Sequence, residues 1–462
     1  MTKPHTSYTF DGHSTPEEHN VAEEHNALGE NNTNTHYPIH ANTTNKTTTA
    51  SNGHSPLISR DFVLLVSGQG ISLFANLMLR FAMSMWVLDE TGSATIFASI
   101  LAVSIVPMIL LSPFGGVLAD RVNRRTIMVA LDACSAMLVL TSAIVFITIG
   151  FSIVAIAVMQ VLLAVLGAFE TPTVQAALPQ MYRRYGSAVV RQAMAVVNQV
   201  QQIGSLLPSF LGGVLYAMFG IHLMMTITIA SFAIAATLEC FIHLGAPDHG
   251  SKQLPTPIED LKAGVRFLLK DRPAVFQLLL FAAAMNFIIT GYAAVGFPYT
   301  IRTVLGFNAT VYGVADGLVG VAGLVGAFTA GLAAAKLTMR HFPIALFMFS
   351  LTVIPQAIVF ILPANAWVKL AVLVTFTCCT MIACSFSNLI AIPTIQMSTP
   401  EAMTGKVMAM TAAISMCAQP LGQMVYGWAY DHFPVAGVLA ATAIGSAVLI
   451  ALTIPLSRQF DE

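Results

Sequence analysis

Four ionisable residues stand inside long apolar stretches of this 462-residue chain: Arg80, Asp132, Glu170 and Asp316. A charged group withdrawn from water is costly, and one kept there commonly handles an ion, a proton or a substrate. A carboxyl group in such a place can hold a proton and release it. It can equally form a static ion pair, or sit at a helix end that water reaches, and both readings stand for Asp132 and Glu170. Uncharged polar residues recur at helical spacing in the same stretches: Gln69, Ser72, Asn76 and Arg80; Asn198, Gln202, Ser205 and Ser209; Ser415, Gln419, Gln423 and Tyr426; and the pair Asn286 and Thr290. A stripe of this kind lines a wet pathway or bonds one helix to the next.

The elements that position these groups follow from composition. The chain is 56% hydrophobic and 9% charged, against about 25% charged residues in a soluble domain. Its apolar runs are long enough to cross the ~30 Å hydrocarbon layer as helices, and barrel-type alternation is absent. From Asp61 onward twelve segments are expected, near 62–88, 94–114, 127–149, 152–175, 194–218, 222–244, 274–298, 311–334, 342–362, 366–392, 407–428 and 435–456. With both termini placed in the cytoplasm, 18 of the 21 Lys and Arg residues fall on the cytoplasmic side, as the positive-inside bias requires. At a rise of about 1.5 Å per residue, Asp132 and Glu170 then lie roughly 9 Å to the cytoplasmic side of midplane, and Arg80 and Asp316 roughly 8 Å to the outer side. Equal depth permits pairing within each couple without requiring it. Glu239, near the end of the sixth segment, is expected at the interface.

Residues 1–59 read as a disordered polar cytoplasmic tail with too few large apolar side chains to fold. Its scattered histidines lack metal-ligand spacing, and the glycosylation-like matches at Asn31 and Asn42 fall on the wrong side of the membrane for modification. The connection 245–272 separates two sets of six segments, 60–244 and 273–458, and its Leu261, Val265 and Leu268 with Lys262 and Arg266 suggest an amphipathic surface helix. The two sets echo one another: Asp61 and Pro273, like Pro208 and Pro420, stand 212 residues apart, and GGVLADRVNRR at 115–125 has a worn copy in AGLAAAKLTMR at 330–340. No phosphate-binding loop, catalytic constellation or C-x-x-C occurs, so an enzyme and an ATP-driven pump are both disfavoured. A basic arm for nucleic acid is also missing, and the six cysteines read as reduced apolar packers.

GGVLADRVNRR concentrates charge between two apolar runs. It resembles the helix 2–3 loop motif G-x-L-A-D-R-x-G-R-R of the major facilitator superfamily through Gly116, Leu118, Ala119, Asp120, Arg121, Arg124 and Arg125. Asn123 replaces the second glycine, a mild departure because Asn tolerates left-handed backbone. GAFETPTVQAALP at 167–179, VYGVADGLVGVAGLVGA at 311–327 and PEAMTGKVMAM at 400–410 are similar to the branch holding macrolide and enterobactin exporters. In the fifth segment, Pro208 and Ser209 stand where exporters carry Gly-Pro, and an arginine common in the fourth segment of drug–proton antiporters is missing. The resemblance implies an all-α integral membrane protein with twelve helices in two pseudo-symmetric six-helix bundles. It implies a monomer in a bacterial inner membrane that exports small amphipathic compounds by alternating access, driven by the proton gradient with no bound cofactor; transport of one physiological solute such as a siderophore, bile acid or lipid is the alternative. It further implies that Asp120 latches the outward-open state against the N-terminus of helix 11 near Gly405 and Lys406, that Gly115 and Gly116 allow close packing, and that helices 1, 5, 7 and 11 line or flank the central cavity.

Overall fold

The computed structural model describes residues 59–183, 185, 187–244, 266, 269, 270 and 273–459. The tail before Ser59 and the expected surface helix, apart from Arg266, Leu269 and Lys270, fall outside them, and the side chains of Asp120, Gln202, Ser205 and Ser209 lie outside the described set. All regular structure among the described residues is helical.

Helix α1 spans Arg60–Thr91, α2 Ala94–Arg121, α3 Arg124–Ile149 and α4 Ile153–Met181. Ser187–Cys240 is one helical element broken at Gly220, where φ is 69°; its arms, 187–219 and 221–240, are α5 and α6. Helix α7 spans Pro273–Val304, with widened π-type turns at Thr290–Gly296 and Thr300–Val304. Then follow α8 (Ala309–Ala333), α9 (Phe342–Ile361), α10 (Ala366–Met397), α11 (Glu401–His432) and α12 (Val435–Gln459). Ten helical stretches among the described residues are long and apolar enough to cross a membrane.

The boundaries have local causes. Ser59, Ser93, Ser152, Asn308 and Asn365 each accept a hydrogen bond from the first turn of the helix they precede, filling an otherwise orphaned donor. Gly92 and Gly150 end α1 and α3 at φ 60° and 81°, a region that side-chain-bearing residues seldom adopt. Asn123 corrects an expectation. It is extended, at φ −61°, and works as the N-cap of α3 by accepting from the Arg125 N–H at 3.0 Å.

Within the first half, α1 packs along the α5–α6 element, α2 and α3 pack on α4, and α3 also meets that element. Within the second, α9 contacts α10 and α12, α8 contacts α10, and α7 contacts α11 and α12. The halves meet along α2 with α11 and along the α5–α6 element with α8. Small residues permit this. A methyl group at Gly427 of α11 would meet the Ala94 carbonyl of α2 at 2.8 Å, and one at Gly213 of α5 would come within 2.9 Å of Gly313 of α8. Gly427→Val is therefore expected to wedge α2 from α11 near their Ala94 and His432 ends, raising thiol labelling of a cysteine placed there at least several-fold and abolishing transport. Unchanged labelling and transport would show that the close approach is dispensable.

Candidate functional site

The site grows from Ser72, which faces into the first half from α1 and is 1% exposed. Its hydroxyl lies 2.7 Å from Asp132 Oδ1 on α3 and 3.3 Å from Glu170 Oε1 on α4. One turn earlier on α1, the Gln69 amide donates to Glu239 Oε1 of α6 at 3.0 Å. Three carboxyl groups from three helices thus gather around one serine and one glutamine. Asp132 and Glu170, two of the four ionisable residues singled out in the sequence, are brought together. Glu239 is not at the interface as expected: its side chain is fully buried, packed over Gly68 of α1. It comes into the cluster because Gly68 leaves the room.

Hydrogen-bond arithmetic constrains this cluster. A serine hydroxyl has one proton, so Ser72 cannot donate to Asp132 and Glu170 at once. The second short contact becomes favourable when one carboxyl is protonated and donates. No lysine or arginine pairs with the three acids among the described residues, and Asp132 Oδ2 and Glu239 Oε2 are buried without a partner. Three uncompensated carboxylates at this separation would repel strongly, so the arrangement favours sharing fewer charges than groups.

Glu170 and Gln69 also line a cavity of about 220 Å³ formed by α1, α2, α4 and α5. Asn76 and Arg80 continue its α1 wall, with Ser104, Gln160 and Gln201 on the other helices. The α1 stripe therefore divides: Gln69, Asn76 and Arg80 face the cavity, and Ser72 turns to the acids. On α5 the cavity is met by Gln201, while Asn198 is exposed elsewhere. In the second half, Asn286 donates to the Ala282 carbonyl at 2.9 Å and Thr290 bonds back to Asn286, so both serve their own helix. Gln419 is half-buried, and Gln423 is 4% exposed with its Oε1 unpartnered. Arg80 and Asp316 do not pair. Arg80 belongs to the cavity, whereas Asp316 lies half-buried one turn from Tyr312, whose ring stacks on Phe81 at 5.4 Å.

The loop-motif arginines tie helix ends together. Arg124 donates to Gln180 at the end of α4, and Arg125 donates to the Cys240 carbonyl at the end of α6. Arg121 is exposed. A methyl group at Gly115 would meet the Ala168 carbonyl of α4 at 2.8 Å, but one at Gly116 or Gly405 would meet nothing within 4 Å. Of the two loop glycines, only Gly115 is needed for close packing.

The opposite face is tied across the halves. Asp431, at the end of α11, accepts from Ser93 Oγ at 2.7 Å and from the Ala94 and Thr95 N–H groups at 2.8 and 2.9 Å, sitting on the positive end of α2. Asp89 of α1 pairs with Arg302 of α7 and accepts from the Tyr216 hydroxyl of α5 at 3.0 Å. Neither acid stands out in sequence, because each follows an apolar run by the few residues that normally mark an interface.

Membrane-length helices in two packed sets place buried acids beside a cavity whose apolar wall is studded with polar side chains. The family model described as Major Facilitator Superfamily matches residues 65–422, and the chain belongs to that superfamily, whose members are transporters rather than enzymes. It is similar to macrolide efflux protein A of Streptococcus pyogenes, 21% identical over 87% of this chain and 96% of that one. It is also similar to the multidrug efflux pump Tap of Mycolicibacterium fortuitum, 25% identical over 88% and 97%. Among solved structures it shares the fold of the nucleoside transporter NupG (TM-score 0.67, 12% identity, 87% and 99% covered). The fold is likewise that of an inward-facing, unoccupied bacterial homologue of the lysosomal transporter Spinster (TM-score 0.65, 15% identity, 88% and 98% covered).

Proposed function

We propose that the chain is a proton-coupled exporter of small amphipathic compounds. The observation that carries this reading is the cluster of Asp132, Glu170 and Glu239 around Ser72 and Gln69, which opens at Glu170 into the cavity. A proton passed among these groups changes the charge beside the cavity, which is the link a carrier needs between proton and substrate. The efflux names of two relatives support the direction. No metal or organic cofactor enters this mechanism; the proton gradient supplies the energy.

In this reading the termini and the α2–α3 loop face the cytoplasm. The Asp431 and Asp89 ties then close the outer side, as in an inward-facing carrier. Asp120, on the last turn of α2, would take the reciprocal role when α11 closes over it: one acid at each end of the α2–α11 pair, each engaged in one state. Substrate enters from the cytoplasm or inner leaflet while the cluster holds its proton. The proton leaves inward before the cytoplasmic side closes, and Glu239, one residue from the end of α6, offers the way out.

Orientation is tested by single cysteines. A cysteine at Ser187 is expected to react with an impermeant thiol reagent only from the cytoplasmic side, and one at Asn308 only from outside; the reverse pattern would overturn the topology. Coupling is tested by reconstitution with an imposed pH gradient, for which loss of the Glu170 carboxyl is the decisive variant.

A further inference from the structure

The Arg80 guanidinium has no hydrogen-bond or ion-pair partner among the described residues, although it stands far along α1 within the cavity wall. A guanidinium keeps its charge in such a place, and a charge held away from bulk water without a counter-ion is strongly unfavourable. The acids do not serve it. Asp316 does not pair with it, and Glu170 lies 3.3 Å from the Ser72 hydroxyl, with Ser72 eight residues or roughly 12 Å back along the helix. The same cavity carries the amides of Asn76, Gln160 and Gln201. The Ser104 hydroxyl is already donated to the Ile100 carbonyl at 2.7 Å. Leu77 and Met108 add apolar surface beside them.

Building on the carrier reading, we propose that Arg80 forms an anion subsite, so that the preferred substrates are amphipathic anions. The charged head, a carboxylate or sulfonate, pairs with Arg80 and takes further hydrogen bonds from the neighbouring amides, while the apolar body lies against the aliphatic wall. The fork of N–H donors on arginine suits the paired oxygens of such a head. The counter-charge that the protein leaves out arrives with the substrate, which separates the substrate end of the cavity from its proton end at Glu170. A neutral isostere of the same compound gains the apolar contacts and loses the ion pair.

A matched fluorescent pair tests this: dansyl sulfonate, permanently anionic, and neutral dansyl amide, titrated onto the full-length protein in nanodiscs, with erythromycin as an amphipathic cation. Wild-type protein is expected to bind the sulfonate about tenfold or more tightly than the amide, the effect of a charge pair worth ~1.4 kcal/mol. Arg80→Gln should remove that preference while leaving amide affinity within about twofold, and Arg80→Lys should keep part of it, since lysine retains charge without the fork. In ligand-free protein, Arg80→Gln should raise the thermal midpoint, because it deletes an uncompensated charge. Equal binding of sulfonate and amide by the wild type, or sulfonate preference retained in Arg80→Gln, would overturn the subsite. So would a parallel loss of sulfonate, amide and erythromycin binding in Arg80→Gln, which would mark a purely structural residue. If the subsite fails while erythromycin is still exported under a pH gradient in a Glu170-dependent manner, the carrier reading stands without it; if that export is also absent, both readings fail.

Discussion

Glu170→Gln and Asp132→Asn should each insert normally, bind substrate and exchange labelled for unlabelled compound, yet lose pH-gradient-driven efflux by about tenfold or more, a change equivalent to ~1.4 kcal/mol or more in a barrier. Each replacement fixes a neutral group that mimics the protonated acid and preserves hydrogen bonding to Ser72, 2.7 Å from Asp132 and 3.3 Å from Glu170. Exchange needs no net proton movement, so it survives; net efflux requires the proton to leave, so it stops. A static ion pair predicts something else, since neutralising one partner strands the other charge and folding suffers together with transport. No basic partner is present among the described residues to be stranded, which is why expression is expected to hold. Glu239→Gln keeps its acceptor for Gln69 and is expected to slow proton release more than substrate exchange. Full pH-driven efflux by both Glu170→Gln and Asp132→Asn would remove the cluster from the coupling path.

The second large effect is expected at the outer ties. Asp431→Ala removes the acceptor of the Ala94 and Thr95 N–H groups and the negative charge at the positive end of α2, while Asp431→Asn keeps an acceptor and loses only the charge. Combined with Asp89→Ala, which releases Arg302 and the Tyr216 hydroxyl, the alanine change should move the carrier toward its outward-open form. A loss of one or two kcal/mol corresponds to a factor of about 5–30 in the balance of states, with the lower part of that range apt because Asp431 is solvent-exposed and its electrostatic share is screened. Distances between spin labels on the outer ends of α1 and α7 should lengthen in the order wild type, Asp431→Asn, Asp431→Ala, double variant. An unchanged distance distribution in the double variant would show that these contacts do not hold the outer side closed.

The helical framework was legible because the apolar runs are long and their caps are ordinary: Ser59, Ser93 and Ser152 each precede a run at the place where a helix begins. Asp132 and Glu170 were legible for the complementary reason, as charges where charge is costly. Glu239 escaped because it stands at the end of its segment, and only the close packing over Gly68 turns it inward. The polar stripes were readable as stripes but not as contacts, since helical spacing fixes a face and leaves its neighbour open. Arg80, Gln69 and Asn76 share a cavity, whereas Asn286 and Thr290 bond within their own helix. Arg80 and Asp316 matched in depth yet do not pair, because depth along the membrane normal says nothing of position around the bundle. Asp89 and Asp431 draw their role from partners 213 and 338 residues away, Arg302 and Ser93, a separation that local pattern cannot bridge.

The central claim is that substrate movement and proton movement are one process through the acidic cluster. The most direct measurement records both at once in liposomes holding the full-length protein and an internal pH dye, with dansyl sulfonate or erythromycin added to one side. Under an imposed pH gradient, substrate is predicted to move against its own gradient while protons move the other way, and both flows should vanish together in Glu170→Gln. Substrate flow that ignores the pH gradient, or proton flow that continues unchanged in Glu170→Gln, would contradict the account.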